Sequence, residues 1–321
     1  MKKWYLGIDV GGTTVKLAFL DENAVMHEKW EIATDLSDEG QQIVQDIGYS
    51  VEKQMASLDM TYEQLWAAGV GAPGYIDVEN GVIVEAINIG WRNYPVSKEL
   101  SKQLGIPVYA DNDANLAAAG EKWKGAGEGS SNLLAVTLGT GVGGGIIAGN
   151  EIIHGHAGLA GEIGHITAVK EGGALCNCGK SGCLETVSSA TGIVRLAEES
   201  LNRDAVSILH AVKRDRGEIE AKDVLEAAKE GDSLALSVVH TAMDYLGFAL
   251  ANLANALNPE RIVIGGGVSK AGEELLKYIR TSFSAFTIPK ISRETSLKIA
   301  TLGNDAGVIG AAWLAKQRSA K

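Results

Sequence analysis

The chain spells out one local pattern twice. Trp4 to Val10 reads as a buried strand, Gly11-Gly12-Thr13-Thr14 as a turn, and Val15 to Leu20 as a returning strand; Asp21-Glu22-Asn23 then turns toward a third strand over Val25 to Ile32. Leu133 to Leu138, Gly139-Thr140-Gly141, Val142 to Ala148, Gly149-Asn150 and Glu151 to His154 repeat that order further along. A second echo accompanies the first. Asn112-Asp113-Ala114-Asn115 opens the helical run Leu116 to Lys124, and Asn304-Asp305-Ala306-Gly307 opens Val308 to Lys316. Two echoes in one order predict an α/β chain of two duplicated domains with a cleft between them. The expected division is a small N-terminal domain of residues 1–116, closed by a C-terminal helix within 303–321, and a large domain of residues 117–302.

The other segments fit this plan. Val70 to Ala72 is a short strand ending at Pro73-Gly74, and Val108 to Ala110 another that runs into Asp111-Asn112-Asp113. Glu198 to Val238 is charged and amphipathic and reads as several surface helices, whereas Thr241 to Leu257 is rich in Ala and Leu and reads as a buried one. Asn258-Pro259 stops that helix before a strand over Arg261 to Ile264. With 321 residues, 45% of them apolar, there is ample material for two cores. The net charge of −11 with no basic cluster excludes nucleic acid as a direct partner, because phosphate binding needs local Lys and Arg. No stretch approaches 18 uninterrupted apolar residues, so no membrane partner is expected. The chain enters its first strand at Trp4 without a signal-peptide apolar region, and a cytoplasmic protein with reduced thiols is the expectation.

All three cysteines fall in Cys176-Asn-Cys178-Gly-Lys-Ser-Gly-Cys183. His165 precedes them in Gly161-Glu162-Ile163-Gly164-His165, and Glu185 follows. Three thiols and an imidazole make a Cys₃His set of the kind that closes a structural Zn²⁺ site. The loop glycines let the chain bend back so that the thiolates converge. The competing reading is a loop of free or disulfide-bonded cysteines, which the odd count and a reducing compartment disfavour. His154 and His156 remain rival ligands.

The glycine turns suit phosphate. Gly11 and Gly12 in one turn, Gly139 and Gly141 in the other, can offer backbone N–H groups without a β-carbon in the way. Thr13 and Thr140 add hydroxyl donors, Lys16 adds positive charge, and Asp9 at a strand end can hold Mg²⁺ through water. Taken singly, each turn is equally an ordinary hairpin; the matched pair is what points to a nucleotide. Gly265-Gly266-Gly267 also follows a strand and precedes a helix around Glu273 to Ile279. A dinucleotide-binding reading fails there, since Lys270 stands at the third glycine position, and no Walker A sequence is present.

Asp9-Val10-Gly11-Gly12-Thr13-Thr14-Val15-Lys16 and Leu138-Gly139-Thr140-Gly141-Val142-Gly143-Gly144-Gly145 resemble the two phosphate motifs of the actin-like ATPase and sugar-kinase superfamily. With Gly161-Glu162-Ile163-Gly164-His165 and the cysteine loop through Glu185, the resemblance narrows to the ROK family of repressors, open reading frames and kinases. Within it, Asn88-Ile89-Gly90-Trp91 and Trp123-Lys124-Gly125-Ala126-Gly127 resemble the bacterial ATP-dependent glucokinases of Gram-positive type. The resemblance covers the whole chain and implies an actin-like (ribonuclease H-like) α/β fold, ATP with Mg²⁺ as cosubstrate, a structural Zn²⁺, and a homodimer or homotetramer.

It also implies site residues. ATP would meet Asp9, Gly11, Gly12, Thr13, Thr14, Lys16, Gly139, Thr140 and Gly141, with adenosine against Gly265, Gly266 and Gly267. Either Asp111 or Asp113 could cap the helix that follows, and the family motif puts the catalytic carboxylate at Asp113. It would take the proton from a sugar hydroxyl as that oxygen attacks the γ-phosphorus. Glu162, His165 and Glu185, with Asn112 and Asn88, would hold the hexose, and zinc on one His165 nitrogen would free the other to donate to sugar. Asp305, the repeat partner of Asp113, is expected to be structural and to cap its own helix.

The implied reaction is ATP-dependent phosphorylation of glucose to glucose 6-phosphate. Fructose, mannose or N-acetylmannosamine kinases on the same scaffold are alternatives, because epimer selectivity is geometric. A non-catalytic sugar-sensing ROK protein is another; such repressors carry a helix-turn-helix segment ahead of the first motif, for which no room precedes Trp4. An actin-like filament subunit would have no use for a zinc-organised polyol pocket.

Overall fold

The computed structural model describes residues 3–202 and 206–320. In chain order the elements are β1 (Trp4–Val10), β2 (Thr14–Asp21), β3 (Met26–Ala33), α1 (Ile43–Ser57), β4 (Leu65–Ala72), β5 (Tyr75–Asp77), β6 (Val82–Ala86), β7 (Trp91–Tyr94), α2 (Val96–Leu104), β8 (Val108–Asn112) and α3 (Asp113–Lys124). There follow β9 (Leu133–Leu138), β10 (Val142–Ala148), β11 (Glu151–Ile152), α4 (Glu185–Ser188), α5 (Ala190–Leu201), α6 (Leu209–Arg216), α7 (Ala221–Lys229) and α8 (Ser233–Leu257). The remainder is β12 (Arg261–Gly265), α9 (Glu273–Phe286), α10 (Pro289–Glu294), β13 (Ser296–Ile299) and α11 (Ala306–Ser319).

The duplication read from the sequence is present in the topology. One five-stranded sheet has the order β3-β2-β1-β4-β8 and the other β11-β10-β9-β12-β13, so each repeats a meander followed by two crossovers. β1 pairs antiparallel with β2 and parallel with β4, which pairs parallel with β8. Likewise β12 is parallel to both β9 and β13. The chain gathers into two compact units, one of residues 1–129, 145–161 and 302–321, the other of 130–144 and 162–301. The boundaries therefore differ from the expected 1–116 plus 303–321: residues 117–129 and 145–161 also count with the first unit. The cause is local. α3 is one unbroken helix from Asp113 to Lys124, and it packs against α11 along its length, so it is not divided at residue 116.

In the first unit β1 is buried on both faces. Leu6, Ile8 and Val10 point into a cluster with Ile43, Ile47 and Val51 of α1 and Leu100 of α2. Tyr5, on the other face, joins Val308, Ile309 and Ala312 of α11. Alternate residues of one strand thus feed two cores, and fully burying each such aliphatic side chain contributes about 1.5–3 kcal/mol. α11 approaches very closely. A β-carbon on Gly310 would overlap the Leu116 carbonyl of α3, and one on Gly7 the Val308 carbonyl. These glycines serve contact between backbones, not flexibility. The edge strand β3 alternates half-buried and exposed residues, as a strand covered on one face does. The small sheet β5-β6-β7 and helix α1 are additions to the expected elements.

In the second unit α8 is 25 residues long, capped by the Asp232 side chain, which accepts from the Ala235 N–H at 2.9 Å, and ended by Asn258 in the left-handed region. By length and composition α8 could cross a membrane, yet 61% of its apolar window is buried within the protein, against α5, α7 and α9 among others. It is a core helix. The expected surface helices over Glu198 to Val238 resolve into the end of α5, then α6, α7 and the start of α8; residues 203–205 lie outside the described part.

Candidate functional site

The first unit gathers carboxylates at the C-terminal ends of its parallel strands. Register puts Asp9 of β1 beside Gly71 of β4 and Gly71 beside Asp111 of β8, so the three stand level across the sheet. Strand ends of an open α/β sheet are where ligands characteristically bind. The turn after β1 closes with Gly11 N–H donating to the Thr14 carbonyl at 3.0 Å, which leaves the Thr13 side chain exposed. Asn88 lies against this turn, its carbonyl oxygen 3.5 Å from where a Gly12 β-carbon would be.

Three Asx residues at the head of α3 divide the work differently from expectation. Neither aspartate is the N-cap. Asn112 is, its Oδ1 accepting from the Ala114 and Asn115 N–H groups at 2.8 and 3.3 Å while its Nδ2 donates to the Gly74 carbonyl at 3.2 Å. One Nδ2 hydrogen is left over for a ligand. Asp111 is fully buried, accepting from Asn115 Nδ2 at 3.0 Å and paired with His154 Nε2 at 2.7 Å. Asp113 alone keeps a carboxyl that solvent reaches, held by the Ala114 N–H at 2.8 Å. Although solvent reaches it, the protein crowded around it strips much of its hydration and, with the Asp9 carboxylate nearby, pushes its pKa up to about 6. Burial also raises Asp9, against the pull of Lys16. Two carboxyls are thus held in surroundings that resist charge, as a proton acceptor and a cation-binding group are.

Asp305 differs from expectation, and Lys16 has a partner that its neighbours in the chain did not announce. Lys16 Nζ donates to the Asn304 carbonyl at 3.2 Å, tying the first turn to the Asn-Asp-Ala segment. Asp305 makes no capping bond to α11; it pairs with Lys29 Nζ of β3 at 2.9 Å. The helix is closed near Asp9 by Gly307, where a β-carbon would come within 2.7 Å of Asp9 Oδ2.

In the second unit the glycine turn after β9 closes with Gly139 N–H donating to the Gly141 carbonyl at 3.0 Å, and Thr140 is exposed. Gly265 pairs with Thr137 in the neighbouring strand, and Gly266 adopts φ +85° so close to Leu138 that no side chain would fit. Gly139–Gly141 and Gly265–Gly267 therefore sit side by side.

His165, Cys176, Cys178 and Cys183 present ligand atoms that all lie within 4.8 Å of one another. His165 Nδ1 is 3.6 Å from Cys176 Sγ, and Cys178 Sγ is 3.5 Å from Cys183 Sγ. A tetrahedral Zn²⁺ with Zn–S of about 2.3 Å sets its sulfurs about 3.8 Å apart, so the donors fit the ion. No cysteine is disulfide-bonded. His154, occupied by Asp111, and His156 stand outside the cluster. Gly182, at φ +78° against the Val169 carbonyl, is the bend that brings Cys183 home. Burial pushes the Cys183 thiol up to about 12 and raises Cys176, whereas the Lys180 N–H lowers Cys178. Metal binding here would expel protons. The Nε2 of His165 faces the other way, 3.8 Å from Glu162 Oε2. Glu185 reaches both features: Oε2 accepts from the Val142 N–H at 3.1 Å, and Oε1 is 3.7 Å from Cys176 Sγ.

The expected residues therefore fall in two sets. Asp9, the first turn, Asn88, Asn112 and Asp113 belong to the first unit; the second turn, Gly265–Gly267, Glu162, His165, the cysteines and Glu185 belong to the second. Sequence reasoning missed the Asp111–His154 pair, whose only signal was the His-Gly-His step after the second motif, and the Ser189/Thr191 hydroxyls at the head of α5.

The ROK family pattern matches residues 5–318. The chain is 54% identical over 316 residues to a glucokinase of Halalkalibacterium halodurans, covering 98% of this chain and 96% of that one. A crystal structure of a ROK family glucokinase from Streptomyces griseus in complex with glucose and AMPPNP superimposes with a TM-score of 0.76 at 37% identity, covering 98% of this chain and 99% of that one. A xylose repressor of Caldicellulosiruptor bescii is 32% identical over 260 residues, 81% of this chain and 65% of the repressor. With two repeated sheets, paired glycine turns, a Cys₃His cluster and a family match over nearly its whole length, this chain belongs to the ROK family.

Proposed function

We propose that this chain transfers the γ-phosphoryl group of ATP to the 6-hydroxyl of glucose, giving glucose 6-phosphate and ADP. The observation that carries the reading is Asp113: a carboxyl beside Asp9, pushed up to about 6, in a chain 54% identical to a glucokinase. Asp113 accepts the proton of the sugar hydroxyl while the oxygen attacks the γ-phosphorus and the bond to ADP breaks, a contribution typically worth ~10²–10⁴ in rate. A base near 6 is ionised at neutral pH yet strong enough to take the proton. Mg²⁺, when bound with ATP, would neutralise phosphate charge, and Asp9 is the residue that would hold it through water. The N–H groups of Gly12 and Thr13 in the first turn and of Thr140 and Gly141 in the second cradle the phosphates, the turns being closed by the Gly11 and Gly139 N–H groups, and Gly265–Gly267 meets adenosine.

The hexose is held by Asn112, through its remaining Nδ2 hydrogen, and by Glu162, His165, Glu185 and Asn88. His165 would hold Zn²⁺ through Nδ1, which would leave the hydrogen on Nε2, beside Glu162, for the imidazole to donate to a sugar hydroxyl. Zinc takes no part in the transfer itself. The reading requires both sets of residues to meet on one substrate. We take the chain as cytoplasmic, in keeping with its unbridged thiols, and as a homodimer or homotetramer, as its family implies.

The similarity to a xylose repressor favours one rival, a sugar-sensing protein without catalysis. A coupled assay of ATP with glucose, fructose, mannose and N-acetylmannosamine, comparing kcat/KM, separates the readings. Glucose is expected to lead, and Asp113→Asn to bind glucose while turning over ~10²–10⁴-fold more slowly. No turnover with any hexose would replace the kinase by the sensor.

A further inference from the structure

The second glycine turn is fastened from two directions by residues that adjoin the cysteine-histidine cluster. On one, the Ala190 N–H donates to the Gly139 carbonyl at 2.9 Å, Thr191 Oγ1 donates to the Thr140 carbonyl at 2.8 Å, and Glu185 accepts from the Val142 N–H at 3.1 Å. That segment starts two residues after Cys183. On the other, Gly164, the residue before His165, presses so closely on the Val142 carbonyl that a β-carbon would overlap it. Glu185 likewise fills the space where a Gly141 β-carbon would stand.

The hydroxyl directions can be deduced. The Thr140 carbonyl can only accept, so Thr191 spends its proton there. Ser189, 2.9 Å from Thr191 Oγ1, must then donate to it, while Ser189 Oγ accepts from the Gly192 N–H at 3.0 Å as N-cap of α5. A chain of three bonds thus runs from the head of a helix to the backbone of the turn. Ser189 is fully buried, which anchors the chain, whereas Thr191 is exposed.

From this geometry we infer that Thr191 is a positioning residue for the ATP phosphates, and that Glu185–Thr191 transmits the state of the zinc loop to the nucleotide turn. The inference rests on the reading that Gly139–Gly141 binds those phosphates. With the Thr140 and Gly139 carbonyls fixed, the N–H groups of the same peptides keep one direction. Released, the peptides rotate and the donors no longer converge on phosphate.

Calorimetric titration of the full chain with a non-hydrolysable ATP analogue, and separately with glucose, tests this. Thr191→Val is expected to weaken the analogue about five- to tenfold, the equivalent of one hydrogen bond, with glucose affinity and zinc content within about twofold of the unaltered protein. Thr191→Ser, which keeps the hydroxyl, should stay within about twofold for both ligands. Stripping the metal from the unaltered chain should weaken the analogue by at least as much as Thr191→Val does. Unchanged analogue affinity in Thr191→Val or after stripping overturns the inference, as does Thr191→Ser matching Thr191→Val. If the unaltered chain binds neither ligand, the proposed kinase itself fails. Should it bind both and phosphorylate glucose while Thr191→Val is silent, only the positioning role falls.

Discussion

Protonating Asp113 is the most direct perturbation of the proposed chemistry. Its carboxyl is displaced from 3.8 to about 6, first by lost hydration and then by Asp9. A base must be ionised, so activity is present above the folded pKa and lost as pH falls through it. At pH 5 a group of pKa 6 is about one-tenth ionised, whereas an ordinary carboxyl is about nine-tenths ionised. kcat/KM for glucose, which reports the glucose-free form of the protein, should therefore drop about tenfold between pH 7 and 5, with a slope of one. The assay is initial rate at low glucose with saturating ATP and Mg²⁺, so that nucleotide titration does not intrude; glucose carries no group that ionises there. Asp113→Asn should show a small residual rate with no such limb. A midpoint near 4, or the same limb surviving in Asp113→Asn, would refute the assignment. The same displacement has a sign in stability. Between about 4 and 6 the folded chain binds the proton more tightly than the unfolded one, so this group costs stability as pH rises through that window, and Asp113→Asn should melt higher than the unaltered protein at pH 7.

Three further outcomes follow from the packing and the Cys₃His cluster. Chelating zinc should raise the KM for glucose by about two- to tenfold, the loss of one oriented His165 bond, and lower the melting temperature in the same titration; intact glucose affinity in zinc-free protein would separate the cluster from the sugar. Gly310→Val drives a side chain into the Leu116 carbonyl and should cost about 1–3 kcal/mol or more in a urea melt, while an unchanged midpoint would contradict the close seating of α11. Asp305→Ala removes a half-exposed pair with Lys29 and no cap, so stability should change by less than about 1 kcal/mol; a larger loss would point to a role the contacts do not contain.

The repeat was legible because turns made of glycine and helices opened by Asn-Asp-Ala announce themselves locally, and both sheets follow the order it implied. The Cys₃His cluster was legible for a related reason: few residue types offer such donors, and four of them came within one short stretch. What failed depended on partners distant in the chain. Asp305 looked like a cap from its neighbours, yet its partner Lys29 lies 276 residues away. Asn112, Asp111 and Asp113 are indistinguishable as capping types; only the backbone geometry at the strand end decides that the amide turns back and one aspartate is sealed in with His154. Helix α1 was legible in its apolar stripe of Ile43, Val44, Ile47, Val51 and Met55 but falls outside the repeat that organised the reading, as do the strands of residues 75–94, and the domain edges were placed by repeat spacing where packing of α3 on α11 decides them.

The seating of α11 also bears on how this protein emerges during synthesis. The sheet face bearing Tyr5, Ala18, Leu20 and Ala67 is covered by Val308, Ile309 and Ala312, so it stays bare until residue 319 has cleared the ribosome. Translation passes through everything from β9 to β13 in that interval. A nascent chain with its opening sheet half-dressed is a substrate for holding chaperones, and stalling before α11 would leave a sticky, unfinished product.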